Sequence, residues 1–224
     1  MIALSYSRLS TYEQCPMKFN SQFLKKDYPD DSKNIHFIKG EKKHKQLQNY
    51  VQCKNDPTMV KMMYDGDVAA ATKIVDALVD AGFSLQAELK LAVDNNFKPC
   101  DWFAKNTMYR AIIDVLGLRN EIAMAGDWKT GKYREYDAKS TGQLHLTSAV
   151  ILAHCPSVEE VRTAYFFIEQ KQTLQRKFSR DMMDNGLTKP FYEAFETVNA
   201  DKEFAPKKNE YCGFCMIKSK CPLF

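Results

Sequence analysis

Between residues 84 and 129 the chain carries three segments in which apolar and polar side chains alternate: Ser84–Val93, Tyr109–Leu118 and Ile122–Lys129. A period of two is the signature of strands buried on one face. Their close spacing predicts an antiparallel meander, with Phe97–Lys105 as a loop. A helix is expected from about Ala138 to Ala153, stopping before His154-Cys155-Pro156. A fourth strand, Val161–Glu169, follows, and a long helical pattern covers Leu174–Asn199. Upstream, Ser5–Lys26 reads as one helix with Ser10 and Glu13 as a capping box. After the turn-rich Tyr28–Ser32, helical pattern returns over about Lys39–Val51 and 58–81, where Ala69, Ala70 and Ala71 favour helix and Gly82 ends it. This order predicts a single α/β (α+β) domain over 1–224, a small mixed central sheet flanked by helices. Its parts are a helical N-terminal region (1–83), an αβ core (84–199) and a cysteine-rich C-terminal cap (200–224).

The strands hold charges that a pure core would reject. Asp114 interrupts the apolar run Ala111-Ile112-Ile113-Asp114-Val115-Leu116, where an unpaired carboxylate is costly. Asp127 and Lys129 flank Trp128 and so project from one face of the next strand. Two carboxylates on adjacent strands beside a lysine make a site for a hard divalent cation. Glu88, on the first strand, either extends that site or is a surface carboxylate. Taken singly, each residue also fits a plain ion pair or strand end; the three in this order favour a site.

Charge and cysteines narrow the setting. The chain has 32 Lys+Arg against 28 Asp+Glu, a net +4, and residues 1–45 hold 9 basic against 5 acidic side chains. Lys42, Lys43 and Lys45 belong to this basic region and are candidates for tracking a polyanion. No apolar run approaches the roughly 20 residues of a membrane span, and the opening residues lack a signal-peptide pattern, so a cytoplasmic protein is expected. Seven cysteines without a secretion signal argue against a disulfide framework. Cys212, Cys215 and Cys221 are spaced C-x2-C-x5-C and need a fourth ligand for either Zn²⁺ or an iron–sulfur cluster. Cys15, before Pro16, stands apart from the single thiols Cys53, Cys100 and Cys155.

Asp114 followed by Asp127-x-Lys129-Thr130-Gly131 resembles the signature of the PD-(D/E)XK nuclease superfamily, in particular its RecB-like branch. Gly40-x-x-x-His44 is similar to that branch's histidine motif, and Gln143, in Gly142-Gln143-Leu144, to its glutamine motif. The opening Ser5-Tyr6-Ser7-Arg8-Leu9, with Tyr12 and Cys15-Pro16, resembles AddB-type and CRISPR-adaptation nucleases and compact phage exonucleases. The likeness spans almost the whole chain in order. It departs at Thr147, where the family often has a tyrosine; His145 is a nearby substitute or an ordinary helix residue.

The resemblance implies a restriction-endonuclease-like core. It implies that His44, Asp114, Asp127 and the Trp128 carbonyl hold Mn²⁺ or Mg²⁺, with Glu88 as a further ligand, and an imidazole among the ligands tilts the choice towards Mn²⁺. Lys129 would position the attacking water and Gln143 would orient Lys129 or the phosphate. Cys15, Cys212, Cys215 and Cys221 would hold a [4Fe-4S] cluster, with zinc as the alternative, tying the two ends of the chain together. The activity implied is a metal-dependent DNA exonuclease acting on single strands or duplex ends with 5′ to 3′ polarity. A phage recombination or replication setting, in the bacterial host cytoplasm, is favoured. The alternatives are a CRISPR-adaptation nuclease trimming pre-spacers, a structure- or site-specific endonuclease, and a non-catalytic cluster-bearing DNA-binding subunit. Expected partners are DNA and no membrane, with a homo-oligomer or recombination proteins as further candidates. Tyr6, Tyr12, Phe19, Tyr165, Phe166 and Phe167 are candidate base-stacking aromatics, though most fit a core equally well. No phosphate-loop motif marks a fused helicase.

Overall fold

A computed structural model describes residues 1–29, 34–56, 66–133 and 141–224. The tail of the predicted connector (30–32), the first part of the 58–81 pattern and the predicted helix start at 138–140 lie outside the described residues. The secondary elements are α1 (Tyr6–Gln14), α2 (Pro16–Phe19), α3 (Ile35–Asn55), α4 (Gly66–Asp80), β1 (Ser84–Asp94), β2 (Thr107–Arg119), β3 (Ile122–Lys129), α5 (Gly142–His154), β4 (Glu160–Phe167), β5 (Gln172–Ser179) and α6 (Lys189–Ala200). The five strands form one sheet in the order β1-β2-β3-β4-β5. The β1–β2, β2–β3 and β4–β5 pairs are antiparallel and β3–β4 is parallel. The parallel pair requires a crossover, which α5 supplies. The expected mixed α/β sheet flanked by helices is therefore present.

Two local expectations fail. Ser5–Lys26 is not one helix: Cys15 is extended (φ −162°, ψ 108°), Pro16 starts a second helix, and a π-helical turn carries it through Lys25. Proline has no N–H to continue the first helix and fits the first turn of the next. The cap is not the Ser10–Glu13 pair but Ser5, whose Oγ accepts the Arg8 N–H. Nor is 174–199 one helix. Its first part is β5, a hairpin partner of β4, and only Lys189–Ala200 is α-helical. Lys171 makes the turn in the left-handed region (φ 54°). Without the glycine or asparagine that normally marks such a turn, the sequence conceals it.

The sheet is covered on both faces. One core joins Leu9, Tyr109, Leu116, Ile151 and Val161 to Phe191, Phe195 and Val198 of α6. The other joins Leu47 and Val51 of α3 and Val75 of α4 to Leu85, Val115, Trp128 and Phe166. Burying each such large side chain is worth about 1.5–3 kcal/mol, so α3 is anchored on the sheet by its C-terminal half. The chain's two ends also meet. Leu4 bridges to β2 in parallel fashion, donating to the Met108 carbonyl and accepting from the Arg110 N–H. The Ile2 N–H donates to Asn199, the Tyr12 hydroxyl to Asp201, Lys207 to the Glu13 carbonyl and Asn209 to the Gln14 carbonyl. Among the described residues no helix is long and apolar enough to cross a membrane.

Candidate metal centre

Three elements bring one ligand each to a common point. His44 comes from α3, Glu88 from β1 and Asp114 from β2, and one ligand atom of each lies within 4.8 Å of the others. The Gly40-x-x-x-His44 spacing has a packing reason. A Cβ on Gly40 would sit 3.1 Å from Thr130 Oγ1, so glycine lets α3 approach the end of β3 one turn before the histidine. Glu88 reaches the site through a defect in the ladder. Ala87 pairs with Val115 and Leu89 with Ile113, leaving Glu88 opposite Asp114 with a left-handed φ of 53°. Such backbone is uncommon for a non-glycine residue and concentrates at functional positions.

Asp114 serves two groups. Its Oδ2 lies 3.4 Å from His44 Nδ1 and accepts the Trp128 N–H at 2.7 Å. The β2–β3 ladder ends at Val115↔Gly126, so the Trp128 amide has no strand partner there and the carboxylate takes its place. In an extended strand a residue's N–H and C=O leave on the same side, which turns the Trp128 carbonyl to that edge as well.

Asp127, Lys129 and Gln143 form a second group alongside. Lys129 Nζ lies 2.7 Å from Asp127 Oδ2 and donates to Gln143 Oε1 at 3.0 Å, while Gln143 Nε2 donates to Asp127 Oδ1. Lys129 also stands over the Tyr165 ring, 4.6 Å from its centroid. Tyr165 is thus a contact of the lysine rather than a stacking surface. It lies on the strand beside Lys129, and its pairing with Asp127 across β3–β4 could not be read from sequence.

The electrostatics favour a bound cation. Burial raises the Glu88 carboxyl above its ordinary pKa and the Asp114 charge adds to this, against smaller opposing effects of His44, Lys45 and Lys90. Burial likewise raises Asp127, partly offset by Lys129. His44 is pulled down by burial, yet the Asp114 hydrogen bond and the charges of Asp114, Asp127 and Glu88 outweigh this and raise it. A cation held among these groups would offset the burial and the neighbouring negative charge that act on Glu88 and Asp127. An imidazole and two carboxylates suit Mn²⁺ or Mg²⁺.

The site opens into a groove of about 1140 Å³ lined by His44, Asp114, Asp127, Gln143 and Thr147, and also by Arg8 and Arg110. Of the three candidate lysines, Lys45 lines this groove, while Lys43 is ion-paired with Glu169 at 2.9 Å and Lys42 is not part of the lining. His145 turns away, edge-on to Phe178 of β5 at 4.8 Å, so it does not replace the family tyrosine. Phe19, Tyr165, Phe166 and Phe167 are buried, which removes them as base-stacking surfaces.

The predicted cysteine set also shares one place. Cys15, Cys212, Cys215 and Cys221 line a cavity of about 230 Å³ where the two ends meet. The Lys207 N–H points at Cys15 Sγ and the Asn209 N–H at Cys212 Sγ. Among the described residues, no three cysteine sulfurs lie within 4.8 Å of one another.

A family model of the PD-(D/E)XK nuclease superfamily matches residues 3–222. The chain belongs to this superfamily. Among solved structures, SSO0001 aligns at 12% identity over 79% of this chain and 94% of its own, with a TM-score of 0.37. A "putative exonuclease" from Eubacterium rectale aligns at 12% identity over 95% of this chain and 86% of its own, with a TM-score of 0.46. No curated protein sequence matches the chain.

Proposed function

We propose that the protein is a divalent-metal-dependent DNA exonuclease that hydrolyses phosphodiester bonds from single-stranded or duplex ends. The observation that carries this reading is the convergence of His44, Glu88 and Asp114 beside the bonded Asp127–Lys129–Gln143 group. A divalent ion held by His44, Glu88, Asp114 and Asp127, with the Trp128 carbonyl as a further oxygen, would polarise the scissile phosphate and acidify the attacking water. Lys129, fixed between Asp127 and Gln143, presents its ammonium to the charge that builds on the phosphate. Its fixed position spares reorganisation during the reaction. The buried indole of Trp128 keeps β3 in register, so the Asp127 and Lys129 side chains on either side of it stay on the groove face.

In this reading the polarity is 5′ to 3′ and the setting phage recombination or replication, with pre-spacer trimming in CRISPR adaptation as the alternative. The complete acid–lysine set speaks against a non-catalytic DNA-binding subunit. The four cysteines carry a structural [4Fe-4S] cluster. Tetrahedral zinc, with Zn–S bonds of about 2.3 Å, needs sulfurs about 3.8 Å apart. The cavity that the four cysteines line and the N–H groups aimed at two of the sulfurs favour the larger cluster.

End-labelled and circular single strands incubated with Mn²⁺ test the activity. Wild-type protein is expected to shorten the linear strand and spare the circle, and Asp127→Ala to abolish shortening while retaining the fold. Digestion by Asp127→Ala at the wild-type rate refutes the site, and cleavage of the circle replaces the exonuclease with an endonuclease.

A further inference from the structure

The wall of the groove away from the metal ligands has its own construction. Arg110, Ile112 and Asp114 are alternate residues of β2 and stand in a row on one face. At about 3.4 Å per residue, Arg110 lies about 14 Å from Asp114 along the strand, the reach of roughly two to three nucleotides of an extended chain. Ile112 between them is 47% exposed, an apolar floor rather than core. The β1–β2 loop folds back here: Arg110 Nε donates to the Trp102 carbonyl at 2.7 Å, and the guanidinium lies 5.6 Å from the Trp102 ring centroid and 5.4 Å from that of Phe103. Lys90 stands 5.9 Å from the same tryptophan ring. Phe103 is 83% exposed, and nothing in the core calls for it there.

Arg8, at the start of α1, faces the same stretch of groove. It is held by the Ala3 carbonyl at 2.8 Å. Burial and the neighbouring Arg110 charge both lower its pKa. Among the described residues neither arginine has a carboxylate partner. Two guanidiniums set near each other without an acid are held against their mutual repulsion, an arrangement an anion relieves.

Resting on the nuclease reading above, we infer that Arg8 and Arg110 bind a backbone phosphate of an unpaired strand, about two to three nucleotides from the scissile bond, and that Trp102 and Phe103 stack its bases. A duplex cannot offer its base faces to these rings, so the subsite selects single-stranded DNA or a frayed end. Arg110, Trp102 and Phe103 are positioning residues, distant from the reacting atoms.

The test measures binding of fluorescein-labelled oligo(dT), alone and annealed to oligo(dA), by anisotropy in EDTA, where no cleavage occurs. Trp102→Ala is expected to weaken oligo(dT) binding about tenfold, and Trp102→Phe to recover most of it. Phe103→Ala, at a solvent-exposed position with no fold to disturb, should lose several-fold. Arg110→Gln should flatten the dependence of log affinity on log salt by about 0.7 for the one phosphate contact removed. In Mn²⁺ the losses fall on KM rather than kcat. If Trp102→Ala, Phe103→Ala and Arg110→Gln bind oligo(dT) as wild type does, or the duplex loses as much affinity as the single strand, the subsite is refuted. Because binding is read without turnover, failure of the nuclease reading shows separately, as wild-type protein that binds oligo(dT) but releases no nucleotide in Mn²⁺.

Discussion

In the proposed reaction, Gln143 is the residue whose removal falls on the chemistry more than on metal binding. Both ends of its amide are committed: the oxygen accepts from Lys129 and the nitrogen donates to Asp127. Gln143→Leu keeps the volume and the helix propensity of the first turn of α5 but deletes both bonds. Each joins a neutral group to a charge and so is worth about 1.5–3 kcal/mol. Water reaches this group in part, since Asp127 and Lys129 are 21% and 33% exposed. Solvent therefore replaces some of the loss, and the net cost is about one such bond. That corresponds to a fall of roughly 10- to 150-fold in kcat, as Lys129 leaves the position proposed for it against the phosphate. Gln143 has no bond to His44, Glu88 or Asp114 and touches the proposed metal set only through Asp127 Oδ1, so the Mn²⁺ concentration for half-activation should shift far less than kcat. Nucleotide release from labelled oligo(dT), titrated with Mn²⁺ for both proteins, reads both quantities, with a melting curve to confirm the fold. Unchanged kcat, or a shifted Mn²⁺ midpoint at constant kcat, would refute the assigned division of labour.

Other perturbations probe the frame around the site. A Cβ at Gly142 would lie 2.6 Å from the Tyr6 ring, so Gly142→Ala should cost about 1–3 kcal/mol by overpacking and lower Tm by several degrees; adding Tyr6→Leu should return part of it, and an unchanged Tm in the single variant contradicts the close approach. Anaerobically prepared protein should be brown and contain iron, Cys215→Ala should be pale and less stable, and Cys53→Ala should keep its iron; a colourless wild type with stoichiometric zinc removes the cluster. His145 has its pKa lowered by burial first and the Arg176 charge second. Its neutral form therefore stabilises the fold above the unfolded pKa of about 6.5, and that contribution is lost as pH falls through the lower folded value. Melting of His145→Gln should accordingly change less between neutral and mildly acidic pH than that of wild type, and identical pH profiles would count against this assignment.

The residues whose place on the groove was legible from sequence are those whose signal is local. Asp114 announced itself as a charge in an apolar strand, and Asp127 and Lys129 as neighbours on one strand face. Residues that act through a partner far along the chain were harder to read. Glu88 sits in an ordinary alternation, and only the left-handed kink opposite Asp114 brings it to His44. Tyr165 reads as core, and it is core, yet its ring lies under Lys129. The hairpin before β5 was invisible because Lys171, rather than glycine, adopts the turn conformation. Trp102 and Phe103 fell within a segment read only as a loop, whose path over the groove is set by a side chain, Arg110, reaching back to it.

The meeting of the chain's two ends bears on when the groove comes into being. Leu4 is stitched to β2 at Arg110, and Ile2 just before it is held by Asn199. The wall that carries Arg8 and Arg110 thus depends on contacts spanning nearly the full length of the polypeptide. Contacts of such separation form late, after the entropy of closing the loop has been met. Until α6 and the cysteine-bearing segment have joined, Ile2, Tyr12 and Gln14 lack their partners Asn199, Asp201 and Asn209, and the segment that carries Arg8 is held by fewer contacts. The Arg8 side of the groove is therefore braced from the far end of the described chain, and loosening α6 should be felt there first.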